Sequence, residues 1–192
     1  MRVGLVVIGT SLGGLHALEI VLRGLGKSFP VPIAVAQHRG KIDGRLASLL
    51  QTHTPLTVKD AEDKDPLAPS TVFVAPADYH LLIDGQTCAL SLEAPICFAR
   101  PSVDVLFESA ADSFGRNVIG IILTGSSRDG AAGAARIKAA GGMVAVQDPE
   151  ECEGPEMPQA TLDNTAVDRV LKLEDIAPFL LDCCSKTGRV AR

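Results

Sequence analysis

Tryptophan is absent from this 192-residue chain, and aromatic residues make up only 4% of it. The core must therefore be built from Val, Ile, Leu and Ala rather than from large rings. A cationic surplus is also missing. The formal net charge is -5, which argues against non-specific binding to nucleic acid. No apolar run reaches the ~20 residues that cross a bilayer. Met1-Arg2 leads straight into an apolar strand, without the basic-then-apolar start of a signal peptide. A cytoplasmic protein with no membrane-inserted segment is expected. The five cysteines (Cys88, Cys97, Cys152, Cys183 and Cys184) are odd in number, and no pair has zinc-ligand spacing. Free thiols in a reducing compartment are expected, with neither metal nor cofactor.

What is present is a folding pattern. Hydrophobic residues make up 46% of the chain against 21% charged, enough for one domain with a substantial core. Strand and helix signals alternate. Arg2 to Ile8, Ile33 to Ala36, Leu56 to Lys59, Thr71 to Ala75, Val118 to Leu123, Met143 to Gln147 and Arg169 to Leu171 read as strands. Helices are expected from Leu15, from an Asp43 cap to about Gln51, from Pro101-Ser102, over Ala131 to Ala140 and from Glu174 to Cys183. Asp148 to Pro158 carries five acids and three prolines and reads as a loop, with Pro158 opening a helix. Leu81 to Leu92 contains Asp84-Gly85 and reads as a β-hairpin. The expected fold is α/β, doubly wound. A mostly parallel sheet carries helices on both faces and an antiparallel β-hairpin at one edge.

The first strand runs into Gly9-Thr10-Ser11-Leu12-Gly13-Gly14 and then a helix with Leu15, Leu18, Val21 and Leu22 on one face. Gly9-x-Ser11-x-Gly13 has the spacing of a nucleophile elbow, where a sharp turn lifts a serine clear of the sheet. The same turn suits a phosphate cradle at a helix N-terminus. The dinucleotide fingerprint, however, wants glycine at Ser11 and an acid after the second strand, where Gln37-His38-Arg39 stands. From this turn alone, hydrolase and nucleotide binder remain open.

In such sheets ligands gather beyond the C-terminal ends of the strands. The first strand delivers Ser11, the second His38, and the central one Thr124 to Gly130 with Asp129. Serine is a weak nucleophile at neutral pH. A neutral imidazole can take its proton, and a carboxylate can fix the tautomer and stabilise the imidazolium. The chain order Ser, His, Asp is not that of the α/β-hydrolases.

The chain resembles the catalytic domain of the chemotaxis receptor methylesterase (CheB) family. The resemblance rests on Ile8 to Gly14, Ala36-Gln37-His38, Val74 to Leu81, Arg100 to Phe107, Ile122 to Gly130, and Gln147 to Glu150 leading to Met157-Pro158. It implies Ser11 as nucleophile, His38 as base and Asp129 as the orienting acid. It also implies a methylated glutamate on a chemoreceptor's cytoplasmic helix as substrate, with glutamine deamidation as a companion activity. The backbone N–H groups of Leu12 and Ser126 are the candidate oxyanion hole. Leu12 stands where the family often has threonine, and Gly125-Ser126-Ser127 where it usually has Gly-Met-Gly. Family members usually carry a receiver domain ahead of the esterase. A single catalytic domain over residues 1–192 is expected here, with any receiver regulator supplied elsewhere.

Arg39, Arg100 and Arg128 are candidates for a substrate rim facing an acidic receptor helix. Asp104, near a helix start, suits either compensation of a helix dipole or a place at the site rim. His16 and His53 read as surface or helix-end residues, and His80 as structural. The alternative readings are a non-catalytic regulatory or partner-binding module on the same fold and, behind it, a nucleotide-cofactor oxidoreductase.

Overall fold

The computed structural model describes residues 2–39 and 45–185. Its centre is set by two strands whose every residue is buried, β1 (Leu5–Thr10) and β7 (Val118–Ile122). Continuous Val/Ile runs of this kind belong in a sheet covered on both faces. The other strands of the sheet are β2 (Ile33–Gln37), β3 (Thr57–Asp60), β4 (Thr71–Val74), β8 (Met143–Gln147) and β9 (Arg169–Leu171). Their order is β3-β4-β2-β1-β7-β8-β9. Every pairing is parallel.

Side-chain parity divides the core into two layers. Val6, Ile8, Ile33, Val35, Ile119 and Ile121 point to one face. There they meet Leu18 and Leu22 of α1 (Gly14–Gly24), Leu50 of α2 (Leu46–Gln51) and Leu180 of α6 (Leu173–Ser185). Leu5, Val7, Ala34, Val118, Ile122 and Val144 point to the other. They meet Leu106 and Phe107 of α3 (Val103–Phe114), Ile137 of α4 (Ala131–Ala139) and Met157 of α5 (Glu156–Asn164). No helix among the described residues is long and apolar enough to cross a membrane. The Asp43 cap expected for α2 lies outside the described residues.

Two expectations are refined. The hairpin, β5 (His80–Asp84) with β6 (Thr87–Ser91), is a separate two-stranded sheet and does not extend an edge of the main one. It lies on α3 instead. The Ile83 amide donates to Ser109 Oγ at 3.0 Å, and Ser113 Oγ donates to the Ile83 carbonyl at 2.9 Å. The acidic segment after β8 is partly ordered into helix. Pro149–Glu151 forms a 3-10 turn, and α5 begins at Glu156, two residues before Pro158. Proline is tolerated there because first-turn N–H groups have no intrahelical acceptor.

The chain lays down β2, β3 and β4 on one side of β1, then returns to β7 on the other. The helix that follows β1 packs on one face and the helix that follows β7 on the opposite face. Their loops therefore part at the β1–β7 boundary, and a crevice opens beyond the strand ends.

Candidate active site

Strand register brings the three sequence-separated segments to that crevice. Thr10 pairs with Gln37, and the His38 amide donates to the Thr10 carbonyl at 3.0 Å. Gly9 pairs with Ile122, and the Ser11 amide donates to the Thr124 carbonyl at 3.0 Å. Ser11, His38 and the Thr124–Asp129 loop thus leave three adjacent strands.

The turn at Ser11 is tight for local reasons. Gly13 has φ +76, a conformation that side chains rarely adopt. A Cβ on Gly9 would lie 2.2 Å from Val103 Cγ1. Polar side chains at the strand ends then lock the turn. Thr10 Oγ1 donates to the Thr124 carbonyl at 2.7 Å, and Thr124 Oγ1 donates to the Leu12 carbonyl at 2.9 Å. Gln147 Oε1 accepts from the Thr124 amide at 2.9 Å. All three residues are buried. Sequence reasoning missed this network. Its only signal is a polar residue closing an otherwise apolar strand.

His38 Nε2 and Asp129 Oδ2 are 2.7 Å apart. With Nε2–H donating to the carboxylate, Nδ1 is the nitrogen left to accept a proton. Among the described residues the Ser11 hydroxyl makes no hydrogen bond, so its rotor is available to turn toward His38. Asp129 is almost completely buried and sits at the N-terminus of α3. Its carboxylate accepts from the Val103 amide (2.7 Å), the Asp104 amide (3.0 Å) and the Ser102 hydroxyl (2.9 Å). Burial pushes the Asp129 carboxyl up. The hydrogen bonds from His38, Asp104 and Val103 outweigh that and hold it below the usual carboxylate range.

Asp104 answers in kind. Its Oδ1 accepts the Gly130 amide at 2.9 Å and the Gly133 amide at 2.7 Å, at the N-terminus of α4. Burial and the neighbouring Asp129 charge raise its carboxyl to about 6. Of its two expected roles, the helix-dipole one matches this geometry, although the helix capped is α4 and not its own. His80 is buried. Its Nδ1 accepts from the Ser102 amide and its Nε2 faces the Ala94 carbonyl, each at 3.2 Å, so it steadies the residue that in turn binds Asp129.

The two backbone groups expected as an oxyanion hole are not used in the fold. Among the described residues neither the Leu12 nor the Ser126 amide donates to a protein acceptor, whereas the intervening Gly125 amide is bound to the Gly154 carbonyl at 2.7 Å. Gly125 lies against Ser11: a Cβ there would be 2.8 Å from Ser11 Cβ and 2.1 Å from Met157 Sδ.

The three arginines do not gather into one rim. A cleft of about 430 Å³ beside His38 is lined in part by Ser126, Ser127, Arg39 and Arg100. The Arg39 side chain is only 4% exposed and donates to the Ala75 carbonyl, with Asp60 at 3.4 Å. Arg100 donates to Asp78 Oδ1 (2.7 Å) and to the Leu92 and Glu93 carbonyls (2.8 and 2.9 Å). Arg128 is exposed but faces a different depression with Ala160, Asp163 and Asn164. Carbonyls and carboxylates from distant segments have drawn the first two inward.

Comparison with known proteins places the whole chain. The CheB methylesterase family model matches residues 6–180. A relative from Leptospira interrogans is 41% identical over 178 residues, covering 92% of this chain and 92% of its own. The protein-glutamate methylesterase/protein-glutamine glutaminase 2 of Anaeromyxobacter dehalogenans is 44% identical over 176 residues, which is 91% of this chain but 52% of that one. The crystal structure of the Thermotoga maritima CheB methylesterase catalytic domain superposes with a TM-score of 0.90 at 35% identity, covering 95% of this chain and 99% of that one. Fold and sequence agree: the chain belongs to the CheB methylesterase family.

Proposed function

We propose that this chain is a serine esterase that removes γ-methyl esters from glutamate side chains of methylated chemoreceptor helices, releasing methanol. The observation that carries the reading is the 2.7 Å His38–Asp129 pair at the strand ends flanking Ser11. His38 Nδ1 takes the Ser11 proton as Oγ attacks the ester carbonyl. Asp129 holds the ring with Nε2–H toward itself and stabilises the imidazolium. The Leu12 and Ser126 amides receive the oxyanion, each worth about 3 kcal/mol in the transition state. His38 returns its proton to the departing methoxide. It then activates the water that cleaves the acyl-serine. The same steps release ammonia from a glutamine side chain, which gives deamidation as the companion activity.

The Ser126 position does not weigh against catalysis, because the proposed donor is backbone and remains available. The nucleotide-cofactor alternative is disfavoured by charge. The Glu153 carboxylate stands beside the N-terminus of α1, 2.8 Å from where a Gly13 Cβ would be, and would repel a pyrophosphate. The test is methanol release from methylated receptor. Wild type releases it, and Ser11→Ala falls to background. Equal rates in the two overturn the reading.

A further inference from the structure

Eight large apolar side chains are exposed among the described residues, and five belong to segments around the catalytic cleft: Leu12, Tyr79, Leu92, Ile96 and Phe98. Leu12 follows the nucleophile. Tyr79 follows Asp78, and Ile96 stands between Pro95 and Cys97, all three of which line the cleft. The Leu92 carbonyl is bound by Arg100. Phe98 itself lines the cleft together with His38 and Ser126, yet it is fully exposed.

Phe98 is held there by an uncommon turn. Ile96 and Ala99 exchange two backbone hydrogen bonds, Ile96 N–H to the Ala99 carbonyl at 3.1 Å and Ala99 N–H to the Ile96 carbonyl at 2.8 Å. The two residues between them, Cys97 and Phe98, have φ of +47 and +63. Turns with two positive φ angles favour Asn and Gly, so a phenylalanine there is backbone-strained. Arg100 anchors the C-terminal side of the turn to Asp78, Leu92 and Glu93. A strained conformation persists where its surroundings enforce it, and such residues cluster at ligand clamps. The cationic groups of the cleft, by contrast, are already engaged within the protein: Arg39 with Ala75 and Asp60, Arg100 with Asp78.

We propose that the apolar rim centred on Phe98 is the surface that grips the protein substrate. Its occupant is the methylated helix itself. This rests on the esterase reading above and adds what selects the substrate. The surface is continuous with the cleft lined by His38 and Ser126, so a polypeptide held there rests beside the base. An uncharged methyl ester also gives the enzyme no anion to grasp, and apolar contact supplies the missing affinity.

The experiment compares Phe98→Ser and Phe98→Leu with wild type on methylated receptor. Phe98→Ser raises KM by at least about fivefold while kcat changes less, and Phe98→Leu keeps KM within about twofold, because apolar surface rather than the ring is required. A Phe98→Ser enzyme with wild-type KM, or a leucine variant as impaired as the serine one, overturns the proposal. In parallel, the Kd of methylated receptor is measured for Ser11→Ala and for Ser11→Ala combined with Phe98→Ser. The second weakens binding by at least about fivefold, and unchanged binding overturns the proposal. This arm needs no turnover, so a failure of the docking surface is told apart from a failure of the esterase reading.

Discussion

Asp104 and Asp129 are exchanged between two helices. The Asp129 carboxylate sits in the first turn of α3 and the Asp104 carboxylate in the first turn of α4. Each belongs by sequence to the segment at the start of the other's helix. Two buried acids are therefore held side by side by backbone N–H groups, and the carboxylate that pairs with His38 is fixed to the helix scaffold.

Replacing Asp129 with asparagine keeps the shape but removes the charge that orients His38. The amide also points hydrogens at donors from Val103, Asp104 and Ser102. The kcat for methanol release falls by roughly 10^4-fold, as when other serine hydrolases lose this carboxylate. Steady-state kinetics of Asp129→Asn checks it, and a loss under about tenfold contradicts the assigned role.

The raised carboxyl of Asp104 makes stability depend on pH in a defined direction. Its folded pKa of about 6 lies above the ordinary 3.8, so the protonated form is the stabilising one. That contribution is complete below the ordinary value and is lost as pH rises through about 6. Asp104→Asn imitates the neutral form. The Tm of the variant relative to wild type is therefore higher at about pH 7.5 than at about pH 4.5. Thermal unfolding at both pH values measures it, and a constant difference refutes it.

Gly125 cannot accept a side chain without disturbing Ser11. A Cβ there meets Met157 Sδ at 2.1 Å and Ser11 Cβ at 2.8 Å. Gly125→Ala lowers kcat by about a hundredfold or more, because a displacement of about 1 Å at a reacting group costs that much. Burst and steady-state assays on the folded variant read the effect. Near-wild-type turnover would falsify the close packing inferred here.

Arg39 and Arg128 separate cleanly by mutation. Arg39→Ala removes the covered guanidinium from the Ala75 carbonyl and lowers unfolding free energy by about 1–3 kcal/mol in urea titration. Arg128 is exposed and lines a different depression from the His38 cleft, so Arg128→Ala leaves KM within about twofold. For the same reason, raising NaCl from about 0.05 to about 0.5 M changes KM little. A steep rise of KM with salt would restore the arginine rim as the recognition device.

The elements that were legible in the sequence are those fixed by neighbours close in the chain. Valine-rich runs, a helical stripe at Leu15, Leu18 and Leu22, and the glycines around Ser11 announce strand, helix and turn by their spacing alone. Ser11 and His38 could be picked out because each directly follows an apolar strand, and Asp129 because it lies in the loop after another; parallel sheets present such positions at one end. The hairpin was visible as a hairpin. That it lies on α3 was not, because Ser109 and Ser113, which bind the Ile83 amide and carbonyl, come from a helix many residues away.

The partners of long polar side chains were least legible. Arg39 meets Ala75 across 36 positions, Arg100 meets Asp78 across 22, and Asp104 binds Gly133 across 29. A guanidinium in sequence reads as a surface charge, since arginine usually stays in water. Whether it does depends on which carbonyl or carboxylate the folded chain brings within reach. The sequence by itself thus determined the strands, the tight turn at Ser11 and the residue types at the strand ends, because periodicity and turn chemistry are local. Only the tertiary structure decided that Asp104 pairs with Asp129, that two of the three arginines turn inward, and that Phe98 stands at the mouth of the cleft. Those depend on contacts between segments far apart in the chain, and no local spacing encodes them.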